Sequence, residues 1–156
     1  MKDFLLKGIL VGILIFTFGC RDDTDCSTSS INFISLSFID SGTFEVRQSN
    51  FDSVFAPGFD TLFVTQADSL DTLILLPVNP FETEATYVFV GPDRNEEIRI
   101  DTVVFSYFPR QGIITPECGP TQFFDDLDTI STTFDSLVVV QPRLRDFNAT
   151  NVLIYN

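Results

Sequence analysis

The chain has 156 residues, with 9 basic against 22 acidic side chains, 18 phenylalanines, three cysteines and no histidine. The missing histidine excludes Ser-His-Asp and Cys-His catalysis as well as histidine-ligated zinc. The formal charge of −13 disfavours nucleic acid as a partner, because nucleic-acid binding draws much of its affinity from contacts between cations and phosphates.

The first nineteen residues have the pattern of a targeting segment. Lys2 and Lys7 form a basic start, and an uncharged apolar run follows from Gly8 to Phe18. A membrane-spanning helix needs roughly 20 apolar residues, so this run is too short to cross a bilayer. We therefore predict a signal peptide over residues 1–19.

A cysteine stands directly after this segment. The Gly19-Cys20 junction resembles a lipoprotein lipobox, in which the cysteine is acylated and becomes the mature N-terminus. The resemblance implies that Cys20 carries the lipid, with palmitate among its acyl chains, and that the protein is anchored in a membrane. An ordinary cleaved signal peptide followed by an unrelated cysteine is the alternative.

The next residues, 20–30, are expected to form the lipidated N-terminus and a short linker. Arg21-Asp22-Asp23 resembles the lipoprotein export signal of Bacteroidota, which marks lipoproteins for the cell surface. A hydrated linker explains the same charges equally well. The resemblance implies an outer-membrane location, on the periplasmic side or at the cell surface.

Two cysteines remain once Cys20 is assigned to the lipid. In an oxidising compartment an even pair favours a disulfide, so we predict a bridge between Cys26 and Cys118. Such a loop of about 90 residues would stabilise the fold by roughly 4 to 5 kcal/mol in the chain-entropy model. Two buried free thiols are the alternative.

From residue 31 onward the pattern is that of strands. Ile34, Leu36 and Phe38 alternate with serines, which predicts a half-buried strand. Further runs rich in β-branched and aromatic residues follow at Thr61–Thr65, Thr72–Val78, Thr86–Val90, Glu97–Ile100, Thr102–Phe108, Ser136–Val140 and Val152–Tyr155. The phenylalanines in these runs, among them Phe89 and Phe108, are expected to lie in the core.

Turn residues, among them Ala56-Pro57-Gly58, separate these runs, and no long stretch keeps a helical apolar period. Tyr87 to Ile100 is the clearest hairpin, with Gly91-Pro92-Asp93 at its turn. We predict an all-β fold, an antiparallel β-sandwich of the immunoglobulin-like type, as a single domain over residues 31–156.

Several segments together resemble an uncharacterised family of small Bacteroidota lipoproteins. The most specific are Asp101 to Tyr107 (DTVVFSY) and Glu117-Cys118-Gly119, with an aromatic-rich Phe-Phe-Asp-Asp-Leu after the cysteine. The resemblance covers most of the chain after residue 20. It implies location and fold and carries no activity.

Two groups of oxygen-bearing side chains are candidates for chemical sites. Asp125, Asp126 and Asp128 could supply the paired carboxylates of a glycosidase, but exposed turn residues explain them better. Another group, Asp93, Asn95 and Glu97, has the start of a calcium loop without its later ligands, and a hairpin turn explains it better. We expect no enzyme activity, no cofactor and no metal.

The tripeptide Asp, Ser or Thr, then an aliphatic residue occurs seven times, where composition would give about one. The pattern resembles the O-glycosylation sequon of Bacteroidota, and Ser53 and Thr61 are the sites most expected to be exposed. The alternative is structural, because aspartate favours the turn before a strand that Thr and the aliphatic residue then begin.

These observations predict a membrane-anchored envelope lipoprotein with a non-catalytic structural or protein-interaction role. The expected partners are the membrane, through the lipid anchor, and an outer-membrane protein. The alternative is a glycan- or calcium-binding surface module, although the chain has no Trp and only three Tyr to form a carbohydrate platform.

Overall fold

The computed structural model describes residues 32–48, 51–58, 72–92, 97–113, 119–144 and 149–155, together with the backbone of residues 62–65. This part of the chain is all-β and contains no helix. None of it therefore forms a helix long and apolar enough to cross a membrane.

Ten strands lie within the described ranges. They are β1 (Phe33–Ile39), β2 (Val46–Arg47), β3 (Ser53–Phe55), β4 (Leu62–Thr65), β5 (Leu73–Pro77), β6 (Glu84–Pro92), β7 (Ile98–Ile113), β8 (Pro120–Thr132), β9 (Ser136–Val139) and β10 (Val152–Tyr155). They form two five-stranded sheets, an arrangement consistent with the predicted sandwich.

The first sheet is built around β1. Strand β10 pairs with one edge of β1 in parallel, with Leu36 opposite Val152, and β9 continues the sheet beyond β10. The other edge of β1 is shared by β5 and the short β2, both antiparallel. The prediction of a purely antiparallel fold is therefore wrong for this sheet, which is mixed.

The second sheet is antiparallel, in the order β4, β3, β6, β7, β8. The predicted hairpin between Tyr87 and Ile100 is confirmed, since β6 and β7 pair from Pro92 opposite Ile98 to Glu84 opposite Ser106. Gly91 and Pro92, which were predicted at its turn, are instead the last two residues of β6. Strand β7 is much longer than β6, so its end forms a two-stranded arm with β8 from Phe108 to Ile113.

One hydrophobic core lies between the sheets, and it draws buried side chains from both of them. Alternate residues along each strand point inward, as the two-residue period of a strand requires. Near its centre, the ring centroid of Phe89 lies 5.2 Å from that of Phe51, 5.2 Å from that of Phe134 and 6.4 Å from that of Phe38. Phe108, expected in the core, is instead 56 % exposed on the outer face of β7.

The first strand is buried on both faces, so the prediction of a half-buried strand is wrong. Ser35 and Ser37 are 2 % and 6 % exposed because the segment before β10 contacts them. The hydroxyl of Ser37 lies 3.1 Å from that of Thr150, and Oδ1 of Asn151 accepts hydrogen bonds from the N–H (3.0 Å) and the hydroxyl (2.7 Å) of Ser35.

Strand β8 was not predicted, because three aspartates interrupt its apolar pattern. Asp125 lies within the strand and pairs with Arg110 of β7 and, at 3.7 Å, with Arg143. Asp126, with a φ of 55°, stands where the β7–β8 register shifts. Asp126 and Asp128 are exposed, as predicted, and Asp125 is half-buried. The prediction that the three lie in a turn is wrong, since they belong to a bulged strand.

Candidate functional site

The candidate site is a cleft of about 510 Å³ between the start of β6, the end of β5 and the turn after β3. Its lining mixes apolar and polar side chains: Ala56, Pro57, Pro77, Asn79, Glu82, Glu84, Ala85, Thr86 and Tyr87. This volume lies within the range of about 300 to 1,000 Å³ typical of ligand sites.

One wall of the cleft is an open strand edge. Strand β7 pairs with every residue of β6, from Glu84 to Pro92, whereas β3 pairs only with Val88 to Val90. In the part of the chain that the structure describes, residues 84–87 of β6 therefore have a strand partner on one side only. The other side faces the cleft.

The hydrogen-bond pattern identifies the backbone groups on this edge. The N–H of Tyr107 donates to the carbonyl of Thr83 at 2.9 Å, and in an antiparallel ladder such bonds recur at every second residue. Ala85 and Tyr87 thus bond to β7. The carbonyl of Val90 accepts from the N–H of Asp52 at 2.8 Å, so the even-numbered residues face β3. It follows that the N–H and C=O groups of Glu84 and Thr86 face the cleft.

The local sequence explains why β3 ends and leaves this edge open. Pro57 has no N–H and cannot continue a ladder, and Gly58 adopts a φ of 93°, which side-chain-bearing residues rarely reach. The chain therefore turns away from β6 directly after Phe55 and Ala56. The Ala56-Pro57-Gly58 turn was predicted from the sequence, and its consequence for β6 was not.

Two tyrosines hold the walls of the cleft in place. The hydroxyl of Tyr87 donates to the carbonyl of Pro77 at 2.6 Å, and that of Tyr107 donates to the carbonyl of Asn79 at 3.0 Å. Burial raises the pKa of the Tyr87 hydroxyl above its ordinary value, so Tyr87 stays a neutral donor. The turn beyond it is fixed by Oδ1 of Asn79, which accepts from the N–H of Phe81 at 3.0 Å.

The rim of the cleft is acidic. Glu82 and Glu84 are exposed, and neither forms an ion pair with any residue in the described ranges. The pKa of Tyr107 is raised by burial and further by the negative charge of Glu82, while its hydrogen bond to Asn79 lowers it. The two carboxylates thus make the mouth of the cleft attractive to cations.

The geometry of the cleft is suited to binding a peptide. Backbone donors and acceptors on a strand edge, beside an apolar wall and an acidic rim, can hold an extended chain. Within the described ranges, no three acidic, cysteine or histidine side chains lie close enough to bind a metal ion. The sequence analysis did not single out Glu82, Glu84 or Thr86.

The predicted site residues fall mainly outside the described ranges. These are Cys20, Cys26, Cys118 and Thr61, together with Asp93 and Asn95 of the candidate calcium loop. Ser53 is described, and it begins β3 with a half-buried side chain. The lipid, disulfide and glycosylation assignments stay predictions.

The repeated tripeptide has two structural settings. Ser53 and Ser136 begin strands β3 and β9, as the structural interpretation expects, whereas Asp101 and Asp128 lie inside strands β7 and β8. Asp101 is 4 % exposed and accepts a hydrogen bond from the Thr133 hydroxyl at 3.0 Å. Oγ1 of Thr129 is buried in the folded protein, which shields this hydroxyl from modification.

Comparison with known proteins places the chain in a family. A model described as a family of unknown function, DUF6452, matches residues 53–156. The chain belongs to this family. The matched part contains β3 and every later strand, and it includes all the residues named above as the lining of the cleft. No curated protein and no solved structure matches the chain.

Membership of this family confirms the expectation of an uncharacterised domain. Asp101 to Tyr107 and Glu117-Cys118-Gly119, on which the resemblance rested, both lie inside the matched range. The match itself gives neither a bacterial group nor a lipid anchor.

Proposed function

We propose that this protein is a lipoprotein of the bacterial outer envelope, of Bacteroidota type, with a non-catalytic role in protein interactions. The open edge of β6 inside the cleft is the observation that carries the interaction role. Free edges in native proteins are usually shortened, charged or covered, so an edge left open beside a cleft is suited to a partner.

The anchoring half of the proposal rests on the N-terminal sequence. A basic start, an apolar run of signal-peptide length and the Gly19-Cys20 junction support acylation of Cys20. The acidic Arg21-Asp22-Asp23 segment supports export to the outer membrane. An outer-membrane protein is then the nearest class of partner.

We also propose the type of β-sandwich, a disulfide bond and two glycosylation sites. Two sheets around one core support an immunoglobulin-like sandwich. Cys118 comes just before β8 in the chain, and a bridge to Cys26 would tie the linker to the β7–β8 arm. Ser53 and Thr61 remain the proposed glycosylation sites.

One experiment tests anchoring and interaction together. A photo-crosslinking residue is placed at Thr86 in the cleft and, as a matched control, at Val138 on β9, in wild-type and Cys20→Ala chains. We expect the wild-type protein in the membrane fraction with a discrete crosslinked species from position 86. We expect Cys20→Ala to move the protein into the soluble fraction and to reduce that species, because the anchor holds the protein near its partner.

The two halves of the proposal can fail separately. An unchanged membrane partition of Cys20→Ala contradicts the lipid anchor. Identical crosslinked products from positions 86 and 138 contradict a specific interaction at the cleft.

A further inference from the structure

We infer that the cleft binds an extended peptide segment with a lysine or arginine, which adds to β6 as an antiparallel strand in line with β3. This inference rests on the proposed protein-binding role and specifies the chemistry of the partner.

The backbone gives the direction and the register. Strand β3 runs antiparallel to β6, with Phe55 opposite Val88, and the added strand takes the place that β3 leaves after Pro57. Its main chain pairs with the N–H and C=O groups of Glu84 and Thr86 that face the cleft. Three residues of an extended strand span about 10 Å, which matches this stretch of β6.

Alternation along β6 sets the side-chain preference of the ligand. Residues directly opposite each other in an antiparallel pair point to the same face of the sheet. The residue opposite Ala85 therefore points between the sheets, toward Pro77 and Tyr87, and is apolar. The residue opposite Glu84 points outward beside a carboxylate, and is basic.

The rim favours a basic ligand over an acidic one. Within the described ranges, ion pairs with aspartates are formed by Arg99, Arg110 and Arg143, away from the rim of the cleft. No basic side chain in the described ranges forms an ion pair with Glu82 or Glu84. An acidic peptide would meet both carboxylates and the excess negative charge of the chain, and these interactions disfavour its binding.

The test uses the full chain in detergent micelles and a synthetic peptide, Ser-Thr-Val-Lys-Val-Lys-Ser, capped at both ends. Binding is followed by the NMR amide shifts of Thr86 and its neighbours. We expect saturable shifts at Glu84 to Tyr87 and binding that weakens as salt rises. Glu82→Gln/Glu84→Gln should weaken binding about 5- to 10-fold, as expected for the loss of two solvent-exposed ion pairs. The control Glu45→Gln/Asp135→Asn removes two charges away from the cleft and should change binding less than 2-fold.

Two ligand variants separate backbone pairing from charge. A peptide whose backbone amides are methylated should bind at least 10-fold more weakly, because strand addition uses those groups. Spermidine is positively charged but has no peptide backbone, so it should bind at least 10-fold more weakly than the lysine peptide. Equal binding of spermidine would show a simple cation site and overturn strand addition.

The remaining outcomes decide between this inference and the proposed function. If the matching glutamate peptide binds as well as the lysine peptide, the charge preference is wrong while an interaction role stands. If neither peptide shifts Thr86 and the crosslink at position 86 persists, peptide addition is wrong and the partner binds in another way. If the crosslink is also absent, the proposed function fails as well.

Discussion

Replacing Asn151 by alanine should lower the free energy of unfolding by about 3 kcal/mol or more. Asn151 is 2 % exposed, and its Nδ2 donates to the carbonyls of Gln141 and Arg143 at 2.9 and 3.2 Å. Its Oδ1 also accepts two hydrogen bonds from Ser35, so both donors and both acceptor positions of the Asn151 side-chain amide are used. Alanine would leave the Ser35 N–H and two carbonyls without their partners, at about 1 to 3 kcal/mol for each group that stays buried.

Asn32 is the matched control for this substitution. Its Oδ1 is buried and has no hydrogen-bond partner in the described ranges. Asn32→Ala removes that unsatisfied oxygen, so stability should change by less than about 1 kcal/mol or increase. Urea unfolding followed by circular dichroism measures both variants. Equal losses from the two would show that Asn151 does not join β1, β10 and the segment after β9 as described.

Replacing Phe89 by alanine should destabilise the fold by about 3 to 5 kcal/mol, the usual range for a phenylalanine removed from a core. Phe89 is 0 % exposed and lies among the rings of Phe38, Phe51 and Phe134. These rings come from β1, from the segment before β3 and from the β8–β9 turn, so the cavity would weaken the contact between both sheets. Because a domain is stable by only about 5 to 15 kcal/mol, Phe89→Leu provides a milder variant that should stay folded.

Phe81 provides the control for the aromatic core. It is 91 % exposed at the turn before β6, so Phe81→Ala removes little buried area and should change stability by less than about 0.5 kcal/mol. The same unfolding measurement applies to all three variants. A loss at Phe81 comparable to that at Phe89 would contradict the placement of the core.

The sequence predicted strands best where apolar residues alternate without interruption. The hairpin of β6 and β7, the strand at Val152 and the core position of Phe89 all follow from local pattern. Burial of Ser35 could not be predicted in this way, because it depends on a residue 116 positions away that satisfies its polar groups. Strand β8 was missed because Asp125 looks like a turn residue until Arg110 and Arg143 are known to contact it.

The sequence indicates separate elements of the cleft, but not that they lie side by side. Pro57 and Gly58 indicate where a strand ends, and the β6 pattern indicates where another runs. Nothing local shows that β3 is the neighbour of β6, since β4 and β5 lie between them in the chain. The open edge is a property of strand order, which is set by packing between distant segments.

The amide hydrogen exchange of Thr86 in the free protein tests the open strand edge most directly. Thr86 and Val88 face the same side of β6, but only Val88 has β3 opposite it. We predict that Thr86 exchanges near the rate of an unprotected amide, while Val88 and Tyr87 exchange at least about 100-fold more slowly, because exchange at a paired strand needs local opening. Protection of Thr86 equal to that of Val88 would show that the edge is already covered, and would contradict a cleft open to a partner strand.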